Sequence, residues 1–353
     1  MSLLSKLTII IPTYNRQEYV LRNMQYWSNY DVTVHIFDGT SLPIDEHLIM
    51  ELGCNINYHH MPCCLFDRLG KSIDCVDTEY SMMMSDDEFY IPSALESCIG
   101  ELECNKDLVS CMGLAVGFSV IRKQVFGAVI YDCLRTANIM QDRPCDRSYY
   151  HMNNYCPSTI YSVMRSSVWK KSMKSLSYKN YETYFKSVGE LQFEITSAYL
   201  GKSKIIKELM WLRSNENIPN SLHTGDASVS IKDNWYKDIN SDIRNEIIDS
   251  IVRVIEPEDV PMVKICISKS FDGYIEKVVK KIDKKSFRKI ALLILPKWAI
   301  SLIRKILERV SCYLKSRFLT SVVKKNYIDT GVKVDKHQLN KIIDIISKFH
   351  FKY

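Results

Sequence analysis

The chain has 353 residues, 46% of them apolar by type, and a formal charge of +6. That length exceeds an ordinary single core and that apolar content excludes general disorder, so one main domain with an addition is expected. The 12 Cys are scattered without a CxxC pair, which argues against a zinc ribbon; with no signal-peptide-like run, they read as reduced core thiols in a cytosol.

The run Leu7-Thr-Ile-Ile-Ile-Pro12 predicts a fully buried strand that runs into Thr13-Tyr14-Asn15-Arg16. A helix follows, with Tyr19, Val20, Met24 and Trp27 on one face. Val32 to Phe37 predicts a second strand, closed by Asp38-Gly39-Thr40-Ser41. Each strand delivers polar residues at its carboxyl end, where open α/β sheets bind nucleotides. Phe66 to Ser72 begins another helix. The apolar Tyr80–Met84 then meets Ser85-Asp86-Asp87-Glu88, and Pro92 opens the next helix. Three carboxylates at one strand end need a cation or strong donors to offset their repulsion, which suggests a divalent metal carrying a phosphate. A plain polar turn before a helix is the simpler alternative.

The ordered pattern TIIIPTYNR, IFDGTS and SDDEFYIPSAL, within roughly the first 215 residues, resembles the inverting glycosyltransferases of family 2. That resemblance implies an α/β chain of the GT-A class, a Rossmann-like mixed sheet, here with a C-terminal helical extension. It also implies a nucleotide-diphospho-sugar donor and Mn²⁺ or Mg²⁺ as cofactor. By position, Pro12, Thr13 and Tyr14 would line the nucleotide pocket, Asp38 would accept from the base and Asp86 would meet the ribose. Asp87 would bind the metal, with Glu88 as the outermost acid beside it. A basic residue on the nucleotide or its phosphates would be Arg68, and one on the diphosphate Arg213, with His223 a weaker candidate.

The chemistry needs these groups because breaking the glycosidic bond leaves a diphosphate whose charge a divalent cation offsets without a proton donor. One or two carboxylates suffice, since phosphates and waters complete the shell. Inversion also needs a base for the acceptor hydroxyl. In Ser187-Val-Gly-Glu190-Leu-Gln-Phe-Glu194, a Gly precedes a predicted helix Glu190–Leu200. The family often has Gly-Glu-Asp here, whereas this chain has Leu191. Glu190 is the preferred base because a helix start can face a cleft; Glu194 lies one turn deeper and is the alternative, and helix capping is the bland role for either.

Further along, Asp107–Phe118 reads as a buried strand whose small residues let another backbone approach. Arg143–Tyr155 has the composition of an acceptor-facing loop, with Arg147, His151, Asn153 and Asn154 close together. Thr159–Arg165 alternates like a strand. A helix is expected over Asp242–Val254 with Ser241 as its cap, and another over Asp335–Phe351. Pro257 and Pro261 mark a boundary, giving residues 1–216 as catalytic domain, 217–260 as helical connector and 261–353 as a basic helical region.

That last region concentrates the charge. From Lys277 to Lys325 there are 15 Lys and Arg against Asp283 and Glu308, a local net of +13 that leaves −7 for the rest of the chain. Apolar residues recur there at helical spacing, including Trp298, Ile303 and Leu307, but no run reaches the roughly 20 needed to cross a bilayer. An interfacial helix on an anionic leaflet fits, against the alternative of a helical pair packed on the catalytic domain. No nucleic acid is expected as a partner, because no recognition motif is present and the acidic remainder repels phosphate.

Together these features predict a metal-dependent inverting glycosyltransferase at the cytosolic membrane face, acting on a glycan or lipid-linked glycan. The rivals are a sugar nucleotidylyltransferase, which would want a Gly-rich loop after the first strand, and a degenerate scaffold that binds without turnover.

Overall fold

A computed structural model describes residues 2–177, 184–185, 187–217, 230–290 and 317–352. The strands are β1 (Leu7–Thr13), β2 (Thr33–Asp38), β3 (Ile56–His60), β4 (Tyr80–Met83), β5 (Phe89–Tyr90), β6 (Leu108–Ile121), β7 (Gln124–Val129), β8 (Val163–Arg165), β9 (Lys202–Ser214) and β10 (Arg317–Phe318). The helices are α1 (Gln17–Trp27), α2 (Glu46–Met50), α3 (Leu65–Cys75), α4 (Pro92–Cys104), α5 (Pro144–Asn153), α6 (Ser166–Ser177), α7 (Val188–Leu200), α8 (Ile231–Asn234), α9 (Ser241–Ile255), α10 (Val260–Ile290), α11 (Leu319–Asn326) and α12 (Lys336–Lys352).

One mixed sheet runs β10-β7-β6-β8-β4-β1-β2-β3, with β9 pairing β5 and β6. The α/β class expected from the sequence is what forms, a mixed sheet with helices packed on it. Strand β1 is apolar on both faces because it is central: Leu7, Ile9 and Ile11 enter the main core, while Ile10 packs with Phe37, Leu69 and Ile73 on the other face. It pairs in parallel with β2 on one side and β4 on the other. The chain therefore leaves β1 outward to β2 and β3, then crosses back to β4. The carboxyl ends of β1 and β4 flank the place where strand order reverses, where open α/β sheets leave a crevice.

The small residues of β6 do admit a second backbone. Strand β9 lies parallel to β6, and a Cβ on Gly113 would stand 2.6 Å from both the Glu208 carbonyl oxygen and Met210 Cβ. Strand β9 is also antiparallel to β5, with Tyr90 opposite Trp211, and so brings Trp211 and Arg213 to the acidic loop.

Several local expectations are corrected by packing. Residues 144–153 are helix α5 rather than an acceptor loop, because Pro144 starts it and its inner face is buried against α7 and α10. The strand over 159–165 shortens to β8, and residues 160–162 turn. Ser241 is the first residue of α9; Asn240 takes the cap position, without a side-chain cap bond. Cys133 and Cys156 form a disulfide with Cα atoms 6.1 Å apart, and Cys54, Cys63, Cys64 and Cys104 are exposed, so the thiols are not uniformly reduced core residues.

A separate apolar core joins Val188, Leu191 and Ile195 of α7 to Trp235, Ile251, Ile267 and Phe271 of α8–α10. After residue 316 the chain returns to the sheet. Strand β10 pairs β7, and Leu319, Val322, Leu339, Ile342 and Ile346 of α11 and α12 are buried in the main core. Residues 291–316, which carry Trp298 and much of the basic amphipathic pattern, lie outside the described residues, as does His223.

Candidate active site

Thr13 is the last residue of β1, in register with Asp38 at the end of β2. Its hydroxyl donates to Asp86 Oδ2 at 2.8 Å, across the crevice to the loop that follows β4. Arg68, on α3, donates to the carbonyls of Thr13 and Phe37, the latter at 3.0 Å, and is buried. Gly39 makes room for it: a Cβ there would lie 2.5 Å from the Arg68 guanidinium carbon. Thr13, Asp38, Arg68 and Asp86 thus meet at the carboxyl ends of β1 and β2. Tyr14 is 48% exposed beside them and Pro12 is half-buried in the strand above.

Asp38 is fully buried and held by three donors. Gln17 Nε2 and the Tyr58 hydroxyl reach Oδ2 at 2.8 and 2.7 Å, and the Thr40 amide reaches Oδ1 at 2.8 Å. Burial pushes its carboxyl up, but these bonds outweigh it and hold the pKa below the ordinary value. Gln17 and Tyr58 were missed from the sequence. Gln17 directly follows the quoted TYNR segment, whereas Tyr58 is brought in only by the pairing of β3 with β2.

The three acids after β4 separate. Asp86 faces Thr13 and Arg16, and burial followed by the charge of Asp87 pushes its pKa up to about 6. Asp87 accepts from Asn217 Nδ2 at 3.0 Å, and its carbonyl accepts from buried Arg22 at 3.0 Å. Glu88 turns the other way, toward β9: Trp211 Nε1 donates to it at 2.7 Å and Arg213 lies 3.9 Å off. Burial, then Asp87, pushes the Glu88 pKa up to about 8.

Whether a divalent ion fits is decided by this separation. Among the described residues the three acids do not converge on one point as a ligand cluster. Asp86 and Asp87 do share one cation, Arg16 Nη1, at 3.3 and 3.8 Å. Two carboxylates around a common positive charge suit a hard ion that takes its remaining ligands from phosphate and water. Glu88, expected beside Asp87 at the metal, does not fit that set because its oxygens are directed to Trp211 and Arg213.

An aromatic shelf separates Glu88 from the head of α7. Trp211 stacks on Tyr90, Tyr131 and Tyr161 with centroids 6.1, 5.3 and 4.9 Å apart. The hydroxyls of Tyr131 and Tyr161 are raised by burial first, and both also feel the charges of Glu88 and Glu190. Glu190 is half-buried in the first turn of α7 and accepts from the Tyr155 hydroxyl. Glu194 differs: it is fully buried, 2.6 Å from His151 Nε2, and accepts from the Thr159 hydroxyl and amide and the Ile160 amide at 3.1 Å. These partners make Glu194 a staple between α5, α7 and the 159–160 turn, which leaves Glu190 as the acid facing the shelf. Arg147 is likewise structural, donating to the carbonyls of Ala198, Tyr199, Gln141 and Asp142.

No family model matches the chain, and no curated protein matches it. Among solved structures it is similar to S. aureus TarS 1–349, at 12% identity and a TM-score of 0.42, covering 80% of this chain and 91% of that one. It is similar also to the same protein in complex with UDP-GlcNAc, at 10% identity and a TM-score of 0.44 over 80% of this chain and 91% of that one. A longer S. aureus TarS structure matches at 11% identity and a TM-score of 0.44, over 76% of this chain and 54% of that one.

Proposed function

We propose that the chain is a glycosyltransferase that takes a sugar from a nucleotide-diphospho-sugar, with inversion, to a glycan or lipid-linked glycan acceptor. The observation that carries this reading is the meeting of Asp38, Thr13, Arg68 and Asp86 at the reversal of strand order between β1 and β4. Asp38, ionised and held by three donors, would accept from a base N–H, and exposed Tyr14 would offer a ring face beside it. Asp86, which accepts from Thr13, would meet a ribose hydroxyl.

Asp86 and Asp87 would hold Mn²⁺ or Mg²⁺, which when bound offsets the charge of a departing diphosphate. Arg16, between these two acids, and Arg213, over the Tyr131 ring at 5.5 Å, supply further positive charge on this side. Glu190, at the start of α7 beside the aromatic shelf, is the proposed base that takes the acceptor proton. Tyr155 orients it by donating to one oxygen. Half-buried Tyr131 and Tyr161, stacked on fully buried Trp211, would offer the apolar ring surface that a sugar packs on.

A membrane-face acceptor is proposed on the +13 charge of residues 277–325. No helix among the described residues is long and apolar enough to cross a membrane. The test is a thermal-shift screen of the full chain against UDP, GDP, dTDP and CMP with and without Mn²⁺. A true ligand at a hundred times its dissociation constant stabilises by about 2.7 kcal/mol. If no nucleotide raises the melting temperature, the reading fails.

A further inference from the structure

We infer that His35, His59 and Cys75 form a separate site for a soft divalent ion of the Zn²⁺ class, on the α3 face of β2 and β3. Their ligand atoms all lie within 4.8 Å of one another. His35 Nδ1 and His59 Nε2 are 2.9 Å apart, and the two rings lie edge to edge with centroids at 5.2 Å and planes 9° apart. Phe37 closes the far side of His59 at 4.7 Å. The placement follows from the sheet: Phe37 is in register with His59, so His35 lies two residues back on the same face of the neighbouring strand. Cys75, half-buried, is the last residue of α3, which packs on this face.

Two imidazoles and a thiolate are the donor set of zinc, unlike the hard carboxylates after β4. With Zn–N near 2.0–2.1 Å in tetrahedral geometry, two nitrogen ligands stand about 3.3 Å apart, so the nitrogens would part by about 0.4 Å and both rings would swing off their head-on line until the lone pairs converge on the ion. Burial lowers both histidine pKa values, which favours the neutral ring that binds metal. Burial raises the Cys75 thiol, so binding releases its proton to solvent as the S–metal bond forms. Three protein ligands leave the fourth position to water.

The site also has a structural consequence for the proposed nucleotide site. Helix α3 carries both Arg68 and, two turns on, Cys75. A bound ion would tie the end of that helix to the edge of the sheet and so steady the guanidinium that bridges β1 and β2.

Cobalt titration of the chelator-treated, reduced full chain tests this. One equivalent of Co²⁺ should produce a thiolate-to-cobalt charge-transfer band in the near ultraviolet, which Zn²⁺ then removes. Cys75→Ser should abolish the band, His59→Gln should weaken binding by at least about tenfold, and Asp87→Asn should leave both unchanged. Circular dichroism of each variant reports whether it is folded. Absence of the band in the wild type, or its survival in folded Cys75→Ser, overturns the site and leaves a hydrogen-bonded histidine pair.

Discussion

The Thr13 hydroxyl donates to Asp86 Oδ2 at 2.8 Å, joining residues 73 positions apart across the crevice between β1 and β4. Both groups are buried. Replacing Thr13 by Val keeps the shape and removes the donor from a carboxylate that has few others. A loss of about 1–3 kcal/mol in denaturant stability is expected, together with weaker nucleotide binding. An unchanged unfolding midpoint would show that the bond contributes nothing.

Asp87→Asn should remove the Mn²⁺ dependence of nucleotide binding while leaving the fold intact, because the amide keeps the volume but loses the charge. Isothermal titration with whichever of UDP, GDP, dTDP and CMP stabilises the chain, with and without Mn²⁺, measures this. Equal metal enhancement in the variant and the wild type would remove Asp87 from the metal.

Glu190→Gln and Glu194→Gln should separate function from stability. The first should leave nucleotide affinity near wild type and reduce turnover by at least about a hundredfold, as expected for loss of a general base. The second should cost about 3 kcal/mol, since a buried carboxylate with His151, Thr159 and Ile160 as partners loses its charge-assisted bonds. Full turnover in Glu190→Gln would place the base elsewhere.

The Glu88 carboxyl, raised by burial from 4.5 to about 8, predicts a pH dependence of stability in chelator-containing buffer. A carboxyl whose folded pKa lies above its unfolded value takes up a proton on folding. Its contribution is complete below pH 4.5 and is lost as pH rises through about 8. Asp86, raised by burial from 3.8 to about 6, acts in the same direction over a lower window. Glu88→Gln should therefore flatten the upper part of the curve and exceed the wild type in stability above pH 8. Parallel curves would show that Glu88 does not titrate in this way.

Gly113→Ala should destabilise the chain by about 1–3 kcal/mol, because the new Cβ meets the Glu208 carbonyl and Met210 Cβ of the adjoining strand. Since β9 carries Trp211 and Arg213, the same substitution should disturb the shelf beside Glu88. Tryptophan fluorescence and urea unfolding measure the two effects, and a wild-type result in both would mean that the strands can part without cost.

What the amino-acid order determined by itself was the set of elements whose patterns are local. The unbroken apolar run of β1, the alternation of polar strand ends with helices, Pro92 at the start of α4 and the basic charge near the C-terminus needed no partner to be legible. Those patterns were enough to place Thr13, Asp38 and Asp86 at strand ends. Only the tertiary structure decided which strand ends are neighbours, because the crossover from β3 back to β4 is what puts Asp86 beside Thr13. It also decided which way each acid points: Asp87 and Glu88 are adjacent in sequence, yet β9 draws Glu88 to Trp211. Arg147, His151 and Glu194 look like polar site residues by composition and became buried staples once α5 packed on α7. The reason is common to all of these cases. Periodicity is written within a few residues, whereas burial and partner choice here depend on segments that meet across 43 to 123 positions.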